Sequence, residues 1–294
     1  MVAPRWWGGG ALTLFAAVAF AFHNVIAGAA LAGGSEPPTL IAFRCLFAAA
    51  AIFFYCRVRG ERLRLEPRLR RAALALGLVL ALQSFSLLSA FQRLPVSLAI
   101  LIFYTFPIWV ALASIVVERQ PLPARTGLAL ALGLAGLALA LNASVADFNW
   151  SGAGFGALTA ACMTVTVIGG GRTVRAAGPV ATSFHTILCS GCVFAAVVAL
   201  QGGPALPTTD TGWIALAAVP VTYLIAVMSF FLAIARVTGT RLATILNSEP
   251  VFTIALAAAI LGERLSPVQA AGAALVVVAI LIAGRPRPAA ASPE

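Results

Sequence analysis

Long apolar stretches alternate with short polar ones along the whole chain. Between successive charged residues, windows of at least 20 residues without Asp, Glu or Arg occur at 6–35, 72–92, 94–117, 126–146, 148–171, 176–209, 211–235 and 265–284. Two further windows, 37–56 and 242–262, each contain a single charge, Arg44 and Glu249. A membrane-spanning helix needs about 20 mostly apolar residues. The pattern therefore predicts ten transmembrane helices joined by short loops.

The composition agrees with a membrane location and excludes a soluble domain. Hydrophobic residues make up 61% of the chain and charged residues 10%, whereas soluble proteins have about 25% charged residues. Strands of membrane barrels alternate polar and apolar residues, but the apolar runs here are continuous. We therefore expect an all-α integral membrane protein in contact with the lipid bilayer. The net charge of +10 lies between apolar runs rather than on a folded basic face, so we expect no nucleic-acid partner.

The placement of arginine residues predicts the orientation of the chain. Inner loops of membrane proteins collect positive charge. With an inner N-terminus, the inner segments contain most arginines, including the run from Arg57 to Arg71, whereas the outer loops contain Arg93 and Arg264. The sequence thus predicts a multi-pass protein of the inner (plasma) membrane with both termini in the cytoplasm.

The second half of the chain repeats features of the first. Glu118 precedes Gly127 by nine residues, and the same spacing separates Glu263 from Gly272. We interpret this as two five-helix repeats, and because five is odd, the second repeat is inverted relative to the first. Inverted repeats are typical of secondary transporters, whose substrate sites lie near the middle of the membrane. The predicted repeats are 1–147 and 148–294.

One segment of the second repeat resembles a known family. Glu249-Pro250-Val-Phe followed by Leu-Gly-Glu263-Arg264, in a ten-helix chain with two repeats, is similar to the EamA type of the drug/metabolite transporter superfamily. Arg44 and Pro107 fit the first repeat of that family, while His23-Asn24 stands near a position where the family usually has tryptophan-glycine. The resemblance covers nearly the whole chain. It implies an exporter of amino acids or other metabolites, and an exporter of aromatic amino acids belongs to the group.

Arg44 and Glu249 are the charges inside the predicted spans. Charges within a membrane are costly and mark a transport pathway or a bonded partner. Arg44 could instead extend toward the outer surface or bond backbone carbonyls. Pro107 and Pro250 are predicted to kink their helices, because proline cannot bond the carbonyl four residues earlier. Glu249, next to Pro250, could support that kink or could exchange a proton and couple export to the pH gradient.

Polar and aromatic side chains within the spans suit a zwitterionic or uncharged solute with an apolar side chain. An amide cannot satisfy its hydrogen bonds in lipid, so Gln83 and Asn247 should face a partner or a cavity. A single serine or threonine can instead bond the backbone of its own helix. The predicted substrate-binding residues are His23, Asn24, Gln83, Ser84, Tyr104, Trp109, Thr164, Tyr223 and Asn247.

The sequence favours transport over catalysis. It has no phosphate-binding Gly-Lys-Ser/Thr motif of an ATPase, and we expect no catalytic residues, no cofactor and no metal. Cys189 and Cys192 have the spacing of a redox pair, but they lie in an apolar span, where packing is the simpler interpretation. We therefore predict a secondary transporter that exports small metabolites, above all amino acids, by alternating access, with a small-molecule substrate as its partner. A drug or other metabolite exporter is the alternative, and a membrane enzyme or a channel fits less well.

Overall fold

The chain is all-α in the residues that this computed structural model describes, which are 8–117, 123–142, 148–261 and 266–284. The predicted repeat and loop residues Glu118, Arg119, Asp147, Glu263 and Arg264 and both chain ends lie outside these ranges. The helices are α1 (Gly9–Ala32), α2 (Pro37–Arg59), α3 (Pro67–Phe91), α4 (Val96–Phe103), α5 (Phe106–Val117), α6 (Ala124–Ala140), α7 (Trp150–Ala177), α8 (Pro179–Leu200), α9 (Asp210–Ile234), α10 (Gly239–Leu246), α11 (Glu249–Leu261) and α12 (Pro267–Gly284).

The length and composition of these helices agree with a multi-pass membrane protein. In the described part of the chain, seven helical segments are long and apolar enough to cross a membrane, and one of them, Val96–Val117, comprises α4 and α5. Two shorter apolar helices, Ala124–Ala140 and Pro267–Ile282, occupy two of the remaining predicted spans. Together, α10 and α11 occupy the last one. The prediction of an all-α membrane protein is thus confirmed.

Two of the predicted spans are interrupted rather than merely kinked. The first interruption lies at Tyr104-Thr105, between α4 and α5, and the second at Asn247-Ser248, between α10 and α11. A proline, Pro107 or Pro250, is the second residue of the helix that follows each interruption. Proline has no N–H and its ring clashes with the carbonyl four residues earlier, which weakens a helix at that point. Helix α9 continues through Pro220, so proline alone does not account for the two interruptions.

A hydroxyl group bonds the end of the preceding helix at both interruptions. The Thr105 hydroxyl donates to the Ile102 carbonyl over 2.7 Å, and the Ser248 hydroxyl donates to the Ile245 carbonyl over the same distance. Each carbonyl also accepts the backbone N–H of the same threonine or serine over 3.1 Å, so the hydroxyl adds a second bond to the last turn of the helix. Ser248 therefore bonds the carbonyl of Ile245 and not that of Leu246, the one that Pro250 frees.

The helices before residue 143 pack mainly on helices after residue 147. The principal pairs are α1 with α9, α2 with α8, α3 with α7 and α6 with α12. Small residues allow membrane helices to approach closely. At the α6–α12 crossing, a Cβ atom added to Gly136 would lie 2.8 Å from the Gly272 carbonyl oxygen, which is too close. The two parts of the chain thus share an extensive interface. The helices α1 and α2, which contain His23 and Arg44, contribute to it.

Two hydrogen bonds join the ends of helices that are distant in the sequence. The Thr208 amide, just before α9, donates to the Gly33 carbonyl after α1 over 2.8 Å. Arg172, near the end of α7, donates through Nη2 to the Val117 carbonyl at the end of α5 over 3.1 Å. If successive spans alternate in direction, each contact joins ends that lie on the same side of the membrane.

Candidate functional site

Helix α1 brings the two intramembrane charges to one cluster of polar side chains. Nη1 of Arg44, on α2, donates to Nε2 of His23 over 2.7 Å. Nδ2 of Asn24 donates to Oε1 of Glu249, the first residue of α11, over 2.8 Å. Consecutive side chains leave a helix about 100° apart. Adjacent residues of α1 therefore hold a basic group on one side and an acidic group on the other.

The hydrogen bonds around His23 show which atoms donate and which accept along a series from Arg44 to α9. Its Nδ1 atom lies 3.1 Å from Oγ1 of Thr222, on α9. The Thr222 hydroxyl lies 3.2 and 3.0 Å from the carbonyls of Ala218 and Val219 and donates its proton to them. Thr222 Oγ1 thus accepts from His23 Nδ1–H, which leaves Nε2 as the acceptor for Arg44; this proton placement follows from the network. The guanidinium is tied through a neutral imidazole to the backbone of α9.

Tyr223 holds the same guanidinium from a second side. The Arg44 Cζ atom lies 4.5 Å from the centre of the Tyr223 ring, a cation–π contact that typically contributes about 0.5–2 kcal/mol. The Tyr223 hydroxyl accepts a weak hydrogen bond from Cys45 Sγ over 3.7 Å. Among the described residues, Nε of Arg44 is buried and has no hydrogen-bond partner. One edge of the guanidinium therefore retains an unused donor.

Glu249 is held by neutral hydrogen-bond donors. Besides Asn24, the Tyr104 hydroxyl hydrogen-bonds its carboxyl group. The Tyr104 ring is packed against Phe103 and Phe106, with centroid distances of 4.8 and 5.9 Å. A helix N-terminus stabilises a negative charge, and Glu249 begins α11. The interrupted α4–α5 span thus supplies a donor to the acidic residue at the other interruption.

The cluster is most exposed at Asn24. His23, Tyr104 and Tyr223 are buried, Arg44 and Glu249 are half-buried, and Asn24 is exposed. An exposed amide bonded to a half-buried carboxyl, in the middle of an apolar helix, is suited to contact with water or a polar solute rather than with lipid. A solute could therefore approach the cluster from the side of Asn24 and Glu249.

The two predicted amides each retain an unused oxygen. Gln83 donates through Nε2 to the Met163 sulfur over 3.9 Å, while its Oε1 atom is buried without a partner among the described residues. The Oδ1 atom of Asn247 is likewise buried and has no hydrogen-bond partner among the described residues. The amide nitrogen of Asn247 faces α6, where a Cβ atom added to Gly133 would lie 2.9 Å from it. Both oxygens remain able to accept a hydrogen bond.

The other predicted site residues do not join the cluster through the hydrogen bonds described. The Ser84 hydroxyl donates to the Leu80 carbonyl over 3.1 Å, and the Thr164 hydroxyl to the Ala160 carbonyl over 2.9 Å. These are the bonds to the same helix that serine and threonine commonly make. Trp109 leaves 41% of its surface exposed on α5. Their role in substrate binding stays a prediction.

Two residues of the cluster were not among the predicted site residues. Thr222 orients His23, and Cys45 contacts Tyr223. Cys45 directly follows Arg44 in the sequence, but nothing in its own residue type marks it. Thr222 has no charge near it in the sequence, and only the packing of α1 on α9 brings it to His23. Within the described residues, no group of three or more His, Cys, Asp or Glu side chains is placed to hold a metal ion.

Comparisons with known proteins agree with this architecture. A family model described as the EamA-like transporter family matches residues 7–142 and again residues 150–285. The threonine/homoserine exporter RhtA of Escherichia coli (strain K12) is 24% identical over 270 residues, which cover 88% of this chain and 87% of the relative. The RhtA protein of Salmonella typhimurium (strain LT2) is 24% identical over 263 residues, with the same coverage.

A solved crystal structure shares the fold. It superposes with a TM-score of 0.81 at 20% sequence identity and covers 94% of this chain and 98% of its own. At this identity the likeness concerns the fold alone. The family model, by contrast, matches most of the sequence in two copies. The chain therefore belongs to the EamA-like transporter family.

Proposed function

We propose that this chain exports amino acids across the inner membrane by alternating access. The observation that carries the proposal is that Arg44 and Glu249, the basic and acidic groups within the spans, are bonded by two adjacent residues of α1, His23 and Asn24. An amino acid carries one charge of each sign and could interact with both. The relatives are named as exporters of threonine and homoserine, so small polar amino acids are the first candidates.

The arrangement of the helices supports two inverted halves, 1–147 and 148–294, that move against each other. Both interrupted spans begin with an eight-residue helix, α4 or α10, and continue after a two-residue interruption. Discontinuous helices at corresponding positions of two repeats mark the binding site in many secondary transporters. The hydrogen bonds of His23 to Thr222 and of Asn24 to Glu249 join the first half to the second. Opening one side of the site would require these bonds to rearrange.

Transport by the purified protein in liposomes tests the function. We expect saturable counterflow of threonine, homoserine or another neutral amino acid, with protein-free liposomes as the control. The panel also contains cationic drugs and organic acids, because a drug or other metabolite exporter is the alternative. Counterflow of those solutes without any amino acid would refute amino-acid export and support the alternative.

We further propose that Glu249 couples export to the proton gradient. Its carboxyl is half-buried and bonded by the neutral groups of Asn24 and Tyr104, so it can exist in both protonation states without leaving a paired cation behind. Glu249→Gln cannot release a proton, but its amide oxygen still accepts a hydrogen bond from an ammonium group. We expect the variant to lose accumulation driven by a pH gradient while exchange at equal pH persists. Unchanged accumulation would show that Glu249 only supports the interrupted helix.

A further inference from the structure

We propose that Arg44 binds the carboxylate of the transported solute and that His23 is the positioning residue that orients its guanidinium group. This inference rests on the proposed export of amino acids. It assigns the carboxylate subsite to one edge of one side chain. It also gives His23 a role other than direct contact with the solute.

The geometry leaves one edge of the guanidinium available. Arginine binds a carboxylate through two parallel N–H groups, either Nη1 with Nη2 or Nε with Nη2. Nη1 of Arg44 donates to His23, and the Tyr223 ring covers a face of the group. The Nε donor is buried and lacks a partner among the described residues. The edge formed by Nε and Nη2 is therefore the one that a carboxylate can occupy.

The contacts described for Arg44 provide no negative charge. The groups that hold it, the imidazole of His23 and the ring of Tyr223, are neutral. Arg44 is half-buried, and a charge inside a membrane span is costly unless a partner or a polar pathway accommodates it. An arginine that only extended toward the membrane surface would not bond a residue in the middle of α1. A solute carboxylate supplies the missing negative charge.

His23 fixes the position of that edge. Its side chain is 1% exposed, and Thr222 holds its Nδ1 atom, so that Nε2 points at Arg44 as an acceptor. Without that acceptor, the guanidinium would be free to rotate about its flexible stem. His23 thus acts on the solute through Arg44.

Competition by threonine analogues tests the subsite. The probes are L-threonine, L-threoninamide, which has no carboxylate, and N-acetyl-L-threonine, which keeps it; each competes with labelled threonine for exchange. Loss of a charge-assisted hydrogen-bonded pair costs about 10- to 100-fold in affinity. We expect the wild type to bind the amide that much more weakly than threonine and Arg44→Gln to bind the two about equally. Arg44→Lys, which keeps the charge without the planar fork, should retain part of the preference.

Two His23 variants separate positioning from general support of the fold. His23→Phe keeps a ring but removes the acceptor, whereas His23→Gln retains an oxygen that Arg44 can reach. We expect His23→Phe to raise KM for threonine with little change in kcat and to leave competition by the amide unchanged. His23→Gln should restore part of the threonine affinity. A merely structural role would weaken threonine and the amide alike and would overturn the assignment of His23.

Arg93→Gln is the matched control. Arg93 also lies over an aromatic ring, 4.9 Å from the centre of Phe155, and donates to the Ser89 carbonyl over 2.8 Å. It lies outside the cluster, so the same substitution should keep the preference for threonine over the amide. Thermal unfolding in detergent verifies that the compared variants are folded.

The outcomes distinguish this inference from the proposed function. If the wild type exchanges threonine but binds the amide equally well, the carboxylate subsite is wrong and amino-acid export stands. If the wild type exchanges organic acids but no amino acid, and Arg44→Gln loses them, export of amino acids is wrong and the subsite stands. An unchanged preference for threonine in Arg44→Gln would also overturn the subsite.

Discussion

Tyr104 connects the two interrupted helices through its hydroxyl group, which bonds Glu249. Tyr104→Phe removes that hydroxyl but keeps the ring that packs on Phe103 and Phe106. A hydrogen bond to a charged group contributes about 1.5–3 kcal/mol, so we expect threonine exchange to fall about tenfold or more, measured in liposomes. Tyr55→Phe on α2, eleven residues from Arg44, is the control and should leave exchange unchanged. Equal effects of the two variants would contradict the role of Tyr104.

At the level of single residues, the sequence indicates charges better than it indicates hydroxyls. Arg44 and Glu249 stand out because each is the one charge in its apolar window. Thr222 does not stand out, because threonines in membrane helices usually bond their own backbone, as Thr164 does here. Thr222 makes that bond as well, and it reaches His23 only because α1 packs on α9. The apolar pattern of a single span does not indicate which other helix will pack against it.

The interruption between α10 and α11 places Glu249 at the start of α11, with its side chain toward Asn24. In Pro250→Ala the new N–H can bond the Leu246 carbonyl, which should extend α10 into α11 and turn Glu249 away from Asn24. We expect exchange to fall about tenfold, as for loss of a hydrogen bond to a charged group, while the thermal unfolding temperature stays equal or rises. Pro179→Ala is the control, because Pro179 begins α8, where its missing N–H is not needed. Normal exchange in Pro250→Ala would show that the interruption is not required.

A second element-level feature is the close contact of α6 with α12. Gly136→Val places a branched side chain 2.8 Å or less from the Gly272 carbonyl oxygen, and such overpacking costs about 1–3 kcal/mol. Gly154→Val on α7 is the matched control, because nothing lies within 4 Å of a Cβ atom added there. Unfolding in detergent should show the larger loss for Gly136→Val. A similar loss in both variants would indicate helix propensity alone.

The sequence predicts the spans well and their interruptions poorly. Apolar length alone indicates a crossing, so each described helix coincides with a predicted window over most of its length, although several, including α2, α3 and α7, extend into the flanking charged residues. Pro107 and Pro250 indicate where a helix is weakened, but a kink and an interruption have the same sequence signal. The hydroxyls of Thr105 and Ser248 make the interruption favourable by bonding the preceding turn. That bond depends on the three-dimensional course of the chain.

For the molecule as a whole, the arginine distribution predicts which face is cytoplasmic. Arg64, in the loop between α2 and α3, and Gly203, between α8 and α9, should lie on opposite sides of the membrane. In a version without the five native cysteines, Gly203→Cys should react with a membrane-impermeant thiol reagent added to whole cells, whereas Arg64→Cys should react only after the membrane is opened. Reaction of Arg64→Cys in intact cells would show that the orientation is the opposite of the predicted one.

The polar cluster is divided between the two parts of the chain that match the same family model. The earlier part contributes His23, Asn24 and Arg44, and the later part contributes Thr222 and Glu249. A dimer of either part alone would place two basic or two acidic groups in the cluster and would lack the opposite charge. The duplicated parts have therefore become complementary rather than interchangeable. A functional site would therefore form only when both parts of the chain are present. Moving the basic group to the later part would also require moving the acidic group to the earlier part.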